Sequence, residues 1–138
     1  MSDEESIRKG RHAVWDLHAH LVFVTKYRHP VFDSTHLDYL KTVFDAVCAD
    51  FGCDLEEFNG ESNHVHLLVK FPATVELSKL VNSLKGVSSR RTRRRFPELA
   101  SHYWRANVLW SRSYYAGTTG GAGIETVKTY IEHQNSPR

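Results

Sequence analysis

The sequence is poor in cysteine, proline and methionine and has almost no excess of charge, with two Cys, four Pro, one Met, and 18 Lys and Arg against 16 Asp and Glu. Cys48 and Cys53 cannot build a disulfide framework, and they lack the second pair of ligands that a zinc scaffold needs. They read as small buried hydrophobes in a reducing compartment. The longest apolar runs, residues 21–24 and 65–69, fall far short of the roughly 18 residues of a membrane helix. Residues 1–12 carry an isolated Ile7 and no apolar stretch of a secretion signal, so they read as a flexible tail of a cytoplasmic protein with no membrane partner. With 41% hydrophobic and 25% charged residues, the composition excludes a disordered or collagen-like chain, and 138 residues suffice for one domain.

What is present is periodicity. Residues 17–26 are aromatic and β-branched and predict a strand closed by Arg28-His29-Pro30. Ser34 is expected to cap a helix whose stripe is Leu37, Leu40, Val43, Phe44 and Val47, ending near Phe51-Gly52. Residues 53–59 and 64–71 predict a hairpin turning at Gly60, Glu61 and Ser62, and residues 75–95 a second helix. A strand is expected over residues 104–115, a glycine-rich linker over 117–123, and a last helix over 124–134. The order β-α-β-β-α-β followed by a helix predicts an α+β, ferredoxin-like (RRM-like) domain, its antiparallel sheet covered by two helices on one face.

Two histidine pairs stand out on the predicted strands. His64 and His66 flank Val65, so both project from one sheet face while Val65, Leu67 and Val69 point under the helices. As neutral imidazoles they can share a divalent cation, or they can be ordinary half-exposed strand residues. His18 and His20 repeat the spacing on a neighbouring strand, facing the same side behind the buried set Leu17, Ala19, Leu21 and Phe23; they are expected to stand behind any metal ligands rather than to be ligands. In the last helix, Tyr130 and Gln134 lie four residues apart and either face one site or merely extend the core face and a solvated turn.

The small net charge conceals a strong local field. Arg90, Arg91, Arg93, Arg94 and Arg95, with Lys79 and Lys85, make seven positive charges without one acid. Such density either ends a solvated helix or meets phosphates, and Lys26, Tyr27, Arg28, Trp104 and Trp110 add stems and stacking surfaces that favour nucleic acid.

The His-Val-His of the third strand, the early Val-Thr-Lys-Tyr-Arg, the Leu-Trp-Ser and Ser-Tyr-Tyr segment, the glycine-rich linker and the terminal Tyr-Ile-Glu-His-Gln occur in an order that resembles the single-tyrosine HUH transposases, TnpA type, of small bacterial and archaeal insertion sequences. The resemblance runs from His18 to Gln134. It implies that Tyr130 is the nucleophile, that His64, His66 and Gln134 hold Mg²⁺ or Mn²⁺, and that Tyr114 and Tyr115 are structural bystanders. It further implies cleavage and rejoining of single-stranded DNA at element ends through a 5′-phosphotyrosine, hairpin recognition, no nucleotide cofactor, and a homodimer whose active sites are assembled in trans. Lys26, Arg28, Lys85 and the five arginines would contact DNA. Asn63 stands where many relatives carry Asp, and Gly123 where a capping serine is common. The alternatives are a domesticated hairpin-nicking relative, a non-catalytic single-strand binding module, and a phosphodiesterase that uses water.

Overall fold

The computed structural model of the protein describes residues 17–103 and 107–118. The expected tail 1–12, Trp104, the linker beyond Thr118 and the helix carrying Tyr130 and Gln134 lie outside the described residues. Within them run strand β1 (Leu17–Val24), helix α1 (Ser34–Asp50), strands β2 (Asp54–Glu61) and β3 (His64–Phe71), helix α2 (Leu77–Arg95) and strand β4 (Tyr115–Thr118). The four strands form one antiparallel sheet in the order β2-β3-β1-β4, the arrangement expected of a ferredoxin-like α+β domain.

One face of the sheet is the core. Ala19, Leu21, Phe23, Val65, Leu67 and Val69 are fully buried against Leu40, Val43, Phe44, Leu80 and Leu84 of the two helices. Each such side chain contributes about 1.5–3 kcal/mol by leaving water, so the two strands' alternating pattern fixes which face the helices cover. The alternation on β3 is complete, leaving His64, His66, Leu68 and Lys70 half-buried on the other face. On β1 it is not: Val22 and Val24 are also buried, so the helix-free face is closed over the C-terminal end of that strand.

Helix α1 begins one residue earlier than expected. Asp33, not Ser34, is its N-cap, accepting from the amides of Thr35 (2.9 Å) and His36 (3.1 Å). The imidazole of His36 takes the place usually held by Glu or Gln in a capping box, with Nδ1 accepting the Asp33 N–H at 3.0 Å. That leaves Nε2–H to donate to Glu98 at 3.2 Å, which ties the 3-10 turn Pro97–His102, a turn sequence reasoning missed, to the helix start. Gly52 ends α1 in the left-handed region at φ 73°, with the Cys53 amide closing on the Cys48 carbonyl at 2.8 Å. Cys48 and Cys53 are free and buried as expected, and burial pushes their thiols up to about 12 and about 11.

Three other boundaries differ from expectation. Gly60 and Glu61 pair with Val65 and His64, so the hairpin turns on Ser62 and Asn63 alone. Helix α2 starts at Leu77, two residues later than the expected range of 75–95. Among the described residues of the strand expected over 104–115, only a single bridge between Thr25 and Trp110 precedes Tyr115, and pairing with β1 resumes at Tyr115–Thr118, taking in Gly117 that the composition assigned to a linker. The reason is that Leu109 and Trp110 are core anchors rather than strand residues: Trp110 is buried, its Nε1–H donates to Ser88 of α2 at 2.9 Å, and it is withdrawn from the stacking role expected of it.

Between the Trp110 anchor and β4 the backbone is held by Lys85. Its ammonium donates to the carbonyls of Ser111 (2.8 Å), Arg112 (3.0 Å) and Ser113 (3.4 Å) and lies 5.3 Å from the Tyr114 ring centroid. Lys85 is therefore a clasp within the fold, with three backbone carbonyls engaging the ammonium that was expected to contact DNA. Burial pushes this ammonium down to about 8, a cost that offsets part of what its bonds contribute. Lys85→Met, which keeps the stem but removes the donors, should destabilise the fold by about 1.5 kcal/mol, the low end for a charged hydrogen-bond donor, as read by urea unfolding.

Candidate active site

The β1–β3 register decides which side chains meet on the helix-free face. Val22 lies opposite His66, Val24 opposite His64 and His20 opposite Leu68. Opposed residues share a face, so His18, His20, His64 and His66 all project from the side away from the helices, as the spacing predicted. The two pairs converge: His20 Nδ1 is 3.3 Å from His66 Nε2, with the ring planes 17° apart. His18 reaches instead toward β2, where its Nε2 is 3.0 Å from Glu56 Oε1 at the bulge between Leu55 and Glu57.

His64 is oriented by the residue before it. Asn63 Oδ1 can only accept, so the 2.9 Å contact is a hydrogen bond from His64 Nδ1–H, and the lone pair of that ring is on Nε2. Asn63 is itself pinned, its carbonyl accepting from the amide (3.0 Å) and hydroxyl (3.2 Å) of the fully buried Thr25. Burial lowers the pKa of His64, opposed by Glu61 and reinforced by Arg28 and His66; burial and then His20 lower that of His66, opposed by Glu57. Both rings are thus neutral at pH 7, the state in which a histidine binds a metal. Two neutral imidazoles, one held by a second-sphere carbonyl oxygen, suit a divalent cation that takes further oxygen donors. Among the described residues no group of three or more His, Cys, Asp or Glu is arranged to hold a metal, so the pair needs a donor from elsewhere.

β4 borders this face. Tyr115 and Gly117 are opposite Val22 and His20, and a Cβ on Gly117 would lie 2.5 Å from the Tyr115 hydroxyl oxygen. The phenol therefore lies back along its own strand over Gly117, beside His20, where only glycine leaves it room. Tyr114 points the other way, 6.4 Å from the Phe23 ring on the core side. Sequence reasoning missed the roles of Asn63, Glu56 and Tyr115; a strict strand register was the signal that would have found them.

The basic residues gather where β1 ends. Tyr27 and Arg28 both adopt positive φ, 59° and 56°, a conformation that costs non-glycine residues about 1–3 kcal/mol each. The turn leaves the Tyr27 ring 60% exposed, with the Lys26 ammonium 5.3 Å from its centroid. Lys26, Tyr27, Ser89, Tyr103 and Arg112 line a cleft of about 540 Å³ there. In α2, Ser88 bonds Trp110, which bridges to Thr25 just past Val24, so the following arginines continue beyond the sheet end at which His64 sits. Arg90, Arg91, Arg94 and Arg95 are exposed, whereas Arg93 is half-buried with Nε donating to Ser89 at 3.0 Å. Placement on the last turns also complements the helix dipole. Among the described residues no helix is long and apolar enough to cross a membrane.

Comparison with known proteins agrees with this arrangement. The chain is 33% identical to the ISDra2 transposase TnpA of Deinococcus radiodurans over 129 residues, covering 94% of this chain and 91% of that one. It is 29% identical to the transposase of insertion sequence IS200 from Salmonella typhimurium over 134 residues, covering 97% and 85%. A crystal structure from Deinococcus radiodurans superposes with a TM-score of 0.83 at 31% identity, over 94% of this chain and 99% of that one. The fold is shared at 10% identity and a TM-score of 0.53 with a REP-associated tyrosine transposase, over 83% of this chain and 62% of that one. A family model described as "Transposase IS200 like" matches residues 13–134, and by that match and these relatives the chain belongs to the IS200-like transposases.

Proposed function

We propose that this transposase cleaves and rejoins single-stranded DNA by metal-assisted attack of Tyr130 on a phosphodiester. The observation that carries the reading is the pair of neutral imidazoles, His64 and His66, held side by side on the helix-free face with His64 oriented by Asn63. Those two rings, with Gln134 as oxygen donor, would hold Mg²⁺ or Mn²⁺, which supplies charge neutralisation and orientation of the scissile phosphate. The Tyr130 oxygen forms a bond to phosphorus as the bond to the 3′ oxygen breaks, and the phenolic proton balances the new 3′-hydroxyl. The products are a 5′-phosphotyrosine and a free 3′-hydroxyl, so the same step run backward joins another end. Tyr103 is no rival nucleophile, because its side chain is buried, which also pushes its phenol up to about 12. Lys26, Arg28 and the arginines of α2 would carry the DNA backbone. A related fold is known bound to a REP hairpin, which supports a hairpin as the recognised element.

With labelled single-stranded hairpin DNA and Mg²⁺, the protein is expected to give a denaturation-resistant adduct carrying the fragment on the 3′ side of the break, joined through its 5′-phosphate. Tyr130→Phe, His64→Ala or a chelator should each abolish it; binding without an adduct across several hairpins would instead favour the binding module, and cleavage surviving Tyr130→Phe a water-using phosphodiesterase. For a homodimer with trans-assembled sites, mixing Tyr130→Phe chains with His64→Ala chains should restore cleavage, and failure of the two to complement would leave the sites in cis. Replacing Arg90 and Arg91 by Gln should lower the slope of log affinity against log salt by about 1.4, at about 0.7 for each phosphate of a single strand that an arginine neutralises.

A further inference from the structure

Among the described residues, Tyr27 is the one that exposes a large apolar side chain, 60% of it open to solvent. Its backbone sharpens the anomaly, because Tyr27 and Arg28 are both left-handed, at φ 59° and 56°, where any side chain but glycine's is disfavoured. The turn is nonetheless tightly fixed. The Thr25 carbonyl accepts from the Arg28 amide (2.8 Å), the Thr25 hydroxyl donates to the His29 carbonyl (2.7 Å), and the Lys26 amide donates to the Leu109 carbonyl (2.9 Å). His29 supports it further: its ring stacks on Tyr103 at 5.3 Å and 10°, gives Nδ1–H to the His102 carbonyl at 3.2 Å, and lies 5.7 Å from the Tyr27 ring. Strain held by so many contacts to keep an aromatic ring in water adds nothing to the core, and it points to a contact made outside the chain.

That ring borders the cleft of about 540 Å³, a volume that suits one small group rather than a duplex. Another wall is α2 at Gly86 and Ser89, where a glycine in mid-helix, unfavourable to the helix itself, leaves one position of the wall without a side chain. Lys26 and Arg112 bring positive charge to the same cleft, the Lys26 ammonium standing 5.3 Å from the Tyr27 centroid. An aromatic face beside two cations matches a single nucleotide, with a base to stack and a phosphate to neutralise. Inside a duplex both faces of a base are covered by its neighbours, so the face that Tyr27 needs is free only when the base has left the stack. We propose that this cleft binds one unpaired base of the DNA strand, stacked on Tyr27, with the adjoining phosphate at Lys26 and Arg112. The inference rests on the reading that the protein acts on single-stranded DNA, and it gives the strand a hold separate from the histidines. The two are nonetheless linked, since the Thr25 amide that starts the turn donates to the carbonyl of Asn63, the residue before His64, at 3.0 Å.

The test uses the full-length protein with a chelator present, so that binding is read without cleavage, and single-stranded hairpin DNA carrying 2-aminopurine at one unpaired position at a time. At one or more positions the parent and Tyr27→Phe should quench the 2-aminopurine fluorescence as the base stacks. Tyr27→Gly should not, and should bind about tenfold more weakly. Glycine is the residue that this left-handed backbone favours, so the variant should unfold at no lower urea concentration, and its weaker binding reports the ring rather than the fold. The slope of log affinity against log salt should be unchanged in Tyr27→Gly and should fall by about 0.7 in Lys26→Gln. Quenching that Tyr27→Gly retains at every position, or a loss of affinity that is equal on a blunt duplex of the same sequence, would overturn the base site and leave the cleavage reading to stand on the Tyr130 adduct. A parent protein that bound no single strand would overturn both.

Discussion

The pairing of β1 with β3 is the constraint on which the rest of the molecule depends. These are the two central strands, and their register sets Ala19, Leu21 and Phe23 together with Val65, Leu67 and Val69 beneath the helices. A slip by one residue would turn the three buried side chains of the slipped strand outward and its two histidines inward, so the free energy of the core enforces the geometry of the site. The same ladder that stabilises the protein therefore places His20 within bonding distance of His66. No separate device is needed to bring the two pairs together, because a strand repeat of two and an antiparallel neighbour already do so.

Each histidine on that face is engaged by a different neighbour. His64 is held by Asn63, His66 by His20, and His18 by Glu56, from the turn, from β1 and from β2 respectively. Thr25 locks the first of these in place, since it anchors both the turn before His64 and the chain leaving β1. It also pairs with Trp110, whose indole is fastened to Ser88 of α2. The basic helix end and the histidine face are thus coupled to one fully buried threonine, which fixes the distance between the cations that would meet a DNA backbone and the groups that would act on it.

Much of this was legible in the sequence. The helical stripes and the alternation on β3 named the core, and two His-x-His spacings on adjacent strands named the face of the site. What escaped was set by tertiary contact. Trp104 to Tyr115 looks like a strand because it is aromatic and β-branched, yet Trp110 is more stable buried beside Phe23, Phe32 and Phe44 than extended on a sheet edge. Lys85 reads as one more charge of a basic helix, and only the carbonyls of residues 111–113 reveal that it faces inward. Gly117 reads as linker, whereas its missing Cβ makes room for the phenol of Tyr115. Asn63 was noticed as a departure from Asp, but its bond to His64 shows that an amide oxygen performs the orienting role without adding a charge.

β4 also bears on how Tyr130 can meet the histidines. The strand ends at Thr118, opposite Ala19 and next to His20, so the chain leaves the sheet at the border of the site. Tyr130 is the twelfth residue after Thr118. At about 3.3 Å per extended residue that tether spans at most about 40 Å, and at about 1.5 Å per residue where it is helical the span shortens to roughly 27 Å with seven residues wound. By strand geometry Thr118 and His64 lie about 19 Å apart, from about 3.3 Å per residue along the strand and about 4.8 Å between strands, so either length reaches the histidines of the same chain. Tether length therefore leaves a cis arrangement open, and the glycines at 120, 121 and 123 impose no direction of their own. The Lys85 clasp keeps the starting point of the tether fixed whichever way it runs.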